Sequence, residues 1–518
     1  MFVAGQKEMQ QMDQYTMEQI GLPGIVLMEN AGARVVEEIR ASSPCKNPKV
    51  IILAGAGNNG GDGFVIARRL CDLGWDALLC LLVNPDRITG DAKCHLDVYQ
   101  NRGLPILHLW ENNPEQIRDE LNRADMIIDA MLGTGLRGPV REPFNQIISL
   151  VNEFAGSKVV IAVDIPSGVG SDDGKVAGVA VKAAKTITFV FPKIGFFLQD
   201  GPKHVGEWKA VDISVPPSIV TDLGLAMPQL ITESLVKASI PVRPPQGHKG
   251  TFGHALVIGG SRQYVGAPVF TAKAVIHSGA GLVTLAVPAS IYPMAANQSP
   301  ESLFLPLSET DGHFSDKAVE ELLPLLPQFD SVAIGPGISR FPGGERWISS
   351  LITSLQHQPI VVDADALYLL RNQLNLVRRC RGPVIFTPHP GEMALLLKQT
   401  VREVEENRME IARTFAEKYQ VFLLLKGHRS IIATPEGDVY INPYGHDALG
   451  KGGSGDVLTG LITSFLAQGA TPLKALVSAS YLHARGGEEK AKTLSNYGVM
   501  PLDIIDSVKG QLNKISKC

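Results

Sequence analysis

Near the end of the chain, Gly450-Lys451-Gly452-Gly453-Ser454-Gly455-Asp456 runs into Val457-Leu458-Thr459-Gly460-Leu461, an apolar helical start. At such a helix N-terminus the amides of Gly453, Ser454 and Gly455 would face a transferring phosphate, with Asp456 in reach of an attacking hydroxyl. An anion hole beside a base is what phosphoryl transfer to an alcohol requires. A second glycine-rich loop ending in aspartate, Gly57-Asn58-Asn59-Gly60-Gly61-Asp62-Gly63, follows the apolar run Lys49 to Ala54 and precedes Phe64, Val65, Ala67 and Leu70. Strand, glycine-rich turn and helix start form the context of a dinucleotide phosphate site, because glycines let backbone N–H groups crowd an anion. The spacing is not Gly-x-Gly-x-x-Gly, and Asn58, Asn59 and Asp62 add oxygens suited to a cation or to sugar hydroxyls. The competing reading is a tight turn with no ligand. Two loops of unlike spacing predict two separate sites and two active domains.

Further strand ends add to the first loop. Asp129 closes Ile127-Ile128-Asp129 and leads into Gly133-Thr134-Gly135-Leu136-Arg137-Gly138-Pro139, whose arginine could contact a phosphate. Asp164 closes another strand in Val163-Asp164-Ile165-Pro166-Ser167-Gly168. Ligands of open parallel sheets collect at the carboxyl ends of strands, so these groups are predicted to converge. Taken singly, either aspartate is more often a cap or turn residue. Lys193, in Phe191-Pro192-Lys193-Ile194-Gly195, reads as a surface lysine, with assistance to Asp164 as the alternative.

The elements that must position these groups follow from length and pattern. At 518 residues the chain exceeds what one core can hold, since cores stop growing near ~250–300 residues. Short Val/Ile-rich runs at Lys49 to Ala54, Asp76 to Val83, Asp125 to Asp129, Lys158 to Asp164 and Thr186 to Phe191 alternate with amphipathic stretches, the rhythm of βαβ units and a parallel sheet. Met9 to Arg40 reads as helical, broken at Gly21 to Gly24. Pro216-Pro217 and then Pro241, Pro244 and Pro245 interrupt the rhythm, and a boundary is predicted there, with one domain over 1–220 and a second over 230–518. The second half restarts at Ala255 to Ile258, with a helix from Pro268 to Ser278, strands at Leu282 to Val287, Ser331 to Ile334, Ile360 to Val362, Val384 to Phe386 and Val421 to Leu425, and a hairpin of Ile431 to Ala433 with Val439 to Ile441. The predicted class is α/β throughout. A net charge of -4 supplies no field that would draw nucleic acid or an anionic membrane. Six cysteines without Cys-x-x-Cys or zinc spacing, no basic-then-apolar leader and no long uncharged apolar run lead to the expectation of a reduced, cytoplasmic setting.

The Asn58 to Asp62 loop with Asp129, Gly133 to Pro139 and Val163 to Gly168 resembles the NAD(P)H-hydrate epimerase family, a Rossmann-like domain. The resemblance implies that Asn59, Asp129 and Ser167 hold a potassium ion. It further implies that Asn58, Asn59, Gly60, Gly61, Asp62, Gly133, Thr134, Gly135, Leu136, Arg137, Gly138, Pro139 and Asp164 bind the hydrated nucleotide. Asp164 is the candidate acid/base, because inversion at C6 of the hydrated ring needs proton transfer as the hydroxyl leaves and returns.

In the second half, His248-Lys249-Gly250-Thr251-Phe252-Gly253, Gly335-Pro336-Gly337, Asp363-Ala364-Asp365, Thr387-Pro388-His389-Pro390-Gly391-Glu392 and Lys426-Gly427-His428-Arg429-Ser430 join the Asp456 loop. Together they resemble the NAD(P)H-hydrate dehydratase family, of ribokinase-like fold. The resemblance implies that Lys426, Gly427, His428, Arg429, Ser430 and Gly455 bind ADP or ATP, and that Ala267, Gly337, His389 and Asp456 contact the hydrate. Magnesium is expected on the nucleotide phosphates. Alone, His389, Asp363 and Asp365 read equally as turn or cap residues, and Lys426 and Arg429 as solvated strand-end charges. Lys451 departs from the family loop and either adds a phosphate contact or points to solvent. The implied whole is a homo-oligomeric repair enzyme for hydrated NADH and NADPH. The alternative is a ribokinase-type kinase with an N-terminal nucleotide-sensing module, against which stands the absence of an evident lid segment between Leu256 and Gly266.

Overall fold

The computed structural model describes residues 1–43, 45–110 and 117–517. Cys518, one of the six thiols, lies outside them. The chain divides into two compact units, Met1–Met227 and Pro228–Cys518, and the division falls inside the proline-interrupted stretch.

In the first unit, strands β1 (Lys49–Ala54), β2 (Asp76–Leu81), β3 (Ile106–His108), β4 (Met126–Ala130), β5 (Val159–Val163), β6 (Lys185–Phe189) and β7 (Glu207–Val211) pair in the order β3-β2-β1-β4-β5-β6-β7. Every pairing is parallel. A parallel sheet is covered on both faces, so its strands must be apolar on both sides. Val50, Ile52 and Ala54 of β1 accordingly enter one core cluster, while Ile51 and Leu53 enter the cluster on the opposite face. The first face is covered by α1 (Gln6–Tyr15), α2 (Gly24–Ala41) and α3 (Asn58–Asp72). The sequence pattern misses β3 and β7 because both are at sheet edges: β3 is only half-buried, and β7 alternates exposed and covered residues. Strand order turns back between β1 and β4, which opens a crevice over their carboxyl ends.

The second unit holds β8 (Gln229–Leu230), β9 (His254–Ile258), β10 (Leu282–Pro288), β11 (Leu303–Leu307), a small antiparallel pair β12 (Glu309–Thr310) and β13 (His313–Phe314), β14 (Ser331–Ile334), β15 (Ile360–Val362), β16 (Val384–Phe386), β17 (Phe422–Leu425), β18 (Ile431–Ala433) and β19 (Val439–Ile441). The main sheet runs β11-β10-β9-β14-β15-β16-β17-β18-β19-β8. It is parallel from β11 to β17, and the β18–β19 hairpin is antiparallel. The two-residue β8 is too short to be read from sequence, and β11, though apolar throughout, is interrupted by Pro306 and partly exposed at the sheet edge. The helix Ser454–Ala467 is buried at every residue from Val457 onward, and this all-round apolarity fixes the start of the helix firmly against the sheet.

Candidate functional site

In the first unit a cavity of about 710 Å³ is lined by residues that include Asp13, Asn58, Asn59, Asp62, Gly133 to Arg137 and Asp164. Gly60 and Gly61 stand apart from this lining and lie inside the first turn of α3. A Cβ on Gly60 would come within 2.1 Å of the Gly55 carbonyl oxygen, and one on Gly61 within 2.5 Å of Met28 Sδ. The Gly61 N–H is already donated to Gly57 O at 3.0 Å. These glycines let α3 press against the strand exit and α2. Gly138 and Pro139 also fall outside the cavity, and Pro139 faces a separate depression shared with Arg118 and Glu153.

Asp129, Ser167 and Asn59 come together at Leu132. Asp129 Oδ2 accepts the Ser167 N–H at 2.8 Å, and its Oδ1 accepts the Ser167 hydroxyl at 2.6 Å and the Met131 N–H at 3.2 Å. Leu132 donates its N–H to Ser167 Oγ at 2.9 Å, and Asn59 Nδ2 donates to Leu132 O at 3.1 Å. Asn59 Oδ1 is buried with no hydrogen-bond partner, an uncompensated cost of ~1–3 kcal/mol. Burial pushes Asp129 up to about 6 despite its donors. An orphaned amide oxygen near a fully buried carboxylate is a donor set that suits a hard cation.

Lys193 overturns the surface reading, since it is fully buried. Its ammonium lies 2.5 Å from Asp164 Oδ1 and also donates to Thr188 Oγ1 at 2.9 Å and to the carbonyls of Phe189 and Phe191 at 3.2 Å. Asp164 Oδ1 further accepts Thr188 Oγ1–H and Phe189 N–H, each at 3.1 Å. All these donors converge on one oxygen. Asp164 sits in the left-handed region (φ 63°), a conformation costing ~1–3 kcal/mol that turns its side chain to the strand end. Asp62, on α3, is raised well above the usual carboxylate range, chiefly by burial and then by Asp164 and Asp13. The sequence left Asp13 unremarked. It lies between Met12 and Thr16, both buried, and that buried helix face was the available signal.

In the second unit the loop Gly450 to Gly453 delivers the helix Ser454–Ala467, with Gly453 (φ 92°) as its N-cap. A side chain there would be strained and would strike Pro501 and Phe270. Ser454 Oγ lies 3.1 Å from His483 Nε2, and burial lowers His483 to about 4, so this imidazole is a neutral brace for the loop. The carboxyl of Asp456 is pushed up to about 7, first by burial and then by Asp363, with Lys426 pulling the other way. Asp363 and Lys426 are neither a turn residue nor a solvated charge. Lys426 Nζ pairs with the buried Asp363 at 2.8 Å, Thr459 donates to Asp363 Oδ2 at 2.6 Å, and Glu392 lies 3.7 Å from the ammonium. Asp365 caps no helix: it accepts the Ser339 N–H at 3.0 Å and lies 3.5 Å from Arg340.

Gly455 joins this group, for a Cβ on it would stand 3.5 Å from Lys426 Nζ. Gly337 and Ala267 face each other across 3.2 Å on the same measure. His389 caps the helix Pro390–Leu397, accepting from Gly391 and Glu392, while Glu392 accepts the His389 N–H at 2.7 Å. The 426–430 loop is held from beneath by Arg408, which donates to the carbonyls of Leu425, Lys426 and Arg429. A Cβ on Gly427 would collide with that guanidinium. Burial lowers Arg429 to about 10. The Lys451 ammonium donates to the Tyr497 carbonyl in an exposed contact.

Each sheet thus carries, at its strand ends, a buried lysine–aspartate pair beside a second carboxyl of raised pKa. The class so defined is a two-headed α/β enzyme. Residues 255–509 match the family described as NAD(P)H-hydrate dehydratase, and residues 24–195 match the YjeF-related protein N-terminus. The chain is 39% identical over 510 residues to the bifunctional NAD(P)H-hydrate repair enzyme Nnr of Moorella thermoacetica, covering 98% of this chain and 96% of that one. With the protein of the same name from Thermofilum pendens it shares 34% over 507 residues, covering 98% and 95%. A crystal structure of ADP/ATP-dependent NAD(P)H-hydrate dehydratase from Bacillus subtilis, co-crystallized with ATP and Mg2+, aligns with 55% of this chain and 98% of its own at 30% identity and a TM-score of 0.49. The chain belongs to the family of bifunctional NAD(P)H-hydrate repair enzymes. No helix among the described residues is long and apolar enough to cross a membrane.

Proposed function

We propose that domain 1–220 interconverts the R and S hydrates of NADH and NADPH at C6, and that domain 230–518 dehydrates the S form with ADP or ATP, releasing phosphate and AMP or ADP. The observation that carries the reading is Asp456, a half-buried carboxyl with a pKa of about 7 at a helix start, beside a lysine already committed to Asp363. A base is most effective when its pKa lies near the working pH. Asp456 takes the proton of the C6 hydroxyl, whose oxygen attacks the terminal phosphorus of the nucleotide. The C6–O bond then breaks with the push of the ring nitrogen. Loss of a C5 proton gives the dihydronicotinamide and phosphate. Ala267, Gly337 and His389 would hold the hydrate, and Lys426 to Ser430 with Gly455 the nucleotide. Magnesium, a hard cation that takes phosphate and water oxygens, would sit on the nucleotide's own phosphates.

In the first domain, Asn59, Asp129 and Ser167 would hold potassium, which would satisfy the orphaned Asn59 Oδ1 and place positive potential near the cavity. The substrate would lie along Asn58, Asn59, Asp62 and Gly133 to Arg137, with Asp164 at the reacting carbon. A cytoplasmic homo-oligomer accompanies this reading as an expectation. The test is incubation of chemically prepared NADH hydrate with the full chain, magnesium and ADP or ATP. Recovery of dihydronicotinamide absorbance is expected. No recovery with either nucleotide overturns the dehydratase assignment, and persistence of the R hydrate at its spontaneous rate overturns the epimerase assignment.

A further inference from the structure

Helix α1 carries a carboxyl into the first cavity, and α1 lies before residue 24, where the family match begins. Its position is fixed by the arm that precedes it. Ala4 donates its N–H to Pro192 O at 3.0 Å and accepts the Ile194 N–H at 3.0 Å, a parallel bridge that straddles the buried Lys193. The Gln6 N–H then binds Asp172 Oδ1 at 2.6 Å, and Glu8 accepts the Gly5 N–H at 3.1 Å. Met9 and Met12 anchor the helix in the core, and Gln10 and Asp13 line the cavity from α1, as Asp62 does from α3 and Asp164 from the end of β5. Asn59 Oδ1, buried and unpartnered, belongs to another residue of the cavity lining.

We propose that Asp13 is a second catalytic acid/base group of the epimerisation, acting on the ring face opposite Asp164. The proposal rests on the epimerase reading above. Inversion at C6 requires a hydroxyl to leave one face and a water to arrive on the other, so a single carboxylate serves only half of the proton traffic. Asp13 on α1 and Asp164 after β5 enter the cavity from different elements. With the hydroxyl on the Asp13 side, the Asp13 carboxyl gives its proton to that hydroxyl and the C6–O bond breaks. The lone pair of N1 becomes the N1=C6 bond as water departs. A water on the other face adds its oxygen lone pair to C6, the N1=C6 pair returns to N1, and the proton it sheds passes to the Asp164 carboxylate. One proton has moved from Asp13 to Asp164, and solvent exchange restores the start.

The charges facing Asp13 are Lys193 from the segment after β6, Asp164, and Asp62 on α3. Burial, opposed by Lys193 and reinforced by Asp164, pushes Asp13 up to about 6. R-hydrate consumption, followed by chromatographic separation of the epimers, should therefore fall as pH rises through about 6, because the protonated form is the donor. Asp13→Asn in the full chain should lower kcat for R consumption by ~10²-fold or more with KM little changed, and the limb near pH 6 should vanish from the residual rate. Asp13→Glu should restore most of the rate with the limb displaced. An Asp13→Asn rate equal to wild type overturns the proposal, and so does a reduced rate that keeps the limb. Should Asp13→Asn fail to fold by circular dichroism, an unmoved limb in Asp13→Glu overturns it. A wild-type chain that leaves both hydrates uninterconverted would fail the epimerase reading itself, a separate outcome.

Discussion

The two units solve the same electrostatic problem with opposite results. Each buries one lysine against one aspartate, Lys193 with Asp164 and Lys426 with Asp363, and each leaves another carboxyl raised, Asp13 and Asp456. In the first unit the paired aspartate lines the cavity, and the raised carboxyl comes from a helix outside the sheet. In the second the paired aspartate is a buried support, and the raised carboxyl stands at the helix start where a phosphate would arrive. A lysine placed beside an aspartate therefore does not mark which aspartate does the chemistry.

The largest break in this comparison should be Asp456→Asn. Loss of a positioned base costs ~10²–10⁴-fold, and dehydration of the S hydrate should fall into that range while R and S still interconvert, as read by chromatography of the epimers. Next is Lys193→Met, which removes the ammonium that lies 2.5 Å from Asp164 Oδ1. Removing one partner of a buried pair costs ~3–5 kcal/mol, so the first unit should melt well before the second in calorimetry. The pH dependences should then separate the units. As the base proposed above, Asp456 would work as the carboxylate, so the dehydration rate should fall about tenfold per pH unit below about 7, whereas epimerisation should fall on the alkaline side of about 6. A common pH profile for both activities would remove the contrast. Smallest is Lys451→Ala. Its ammonium is bound to the Tyr497 carbonyl, and the KM for nucleotide should change by less than ~3-fold, the scale of an exposed contact.

Much of this was legible in the chain because central parallel strands are apolar on both faces and glycine loops follow them. The five strands read in the first unit and the hairpin in the second are present, with ends shifted by a residue or two. Edge strands escaped because β3 and β8 are short, β7 is half polar and β11 carries Pro306. At the site, Asp129 with Ser167, and Asp456 with its loop, are visible as strand-end and helix-start residues. Lys193 was misjudged since a lysine after a proline carries no sign of burial, and only the fold shows its acceptors, the Asp164, Thr188, Phe189 and Phe191 oxygens. Glycines mislead for a related reason. Gly60 and Gly61 look like anion ligands, yet their missing side chains serve helix packing.

The bridge between Ala4 and the residues flanking Lys193 makes the first few residues a removable key for one activity alone. Trimming residues 1–5, or burdening them with a bulky fusion, would remove the Ala4 bridge that seats the start of α1, on which the proposed role of Asp13 depends, and leave the Asp456 centre untouched. A cell or an experimenter could then set the balance of the two reactions by cutting at a single end of the chain.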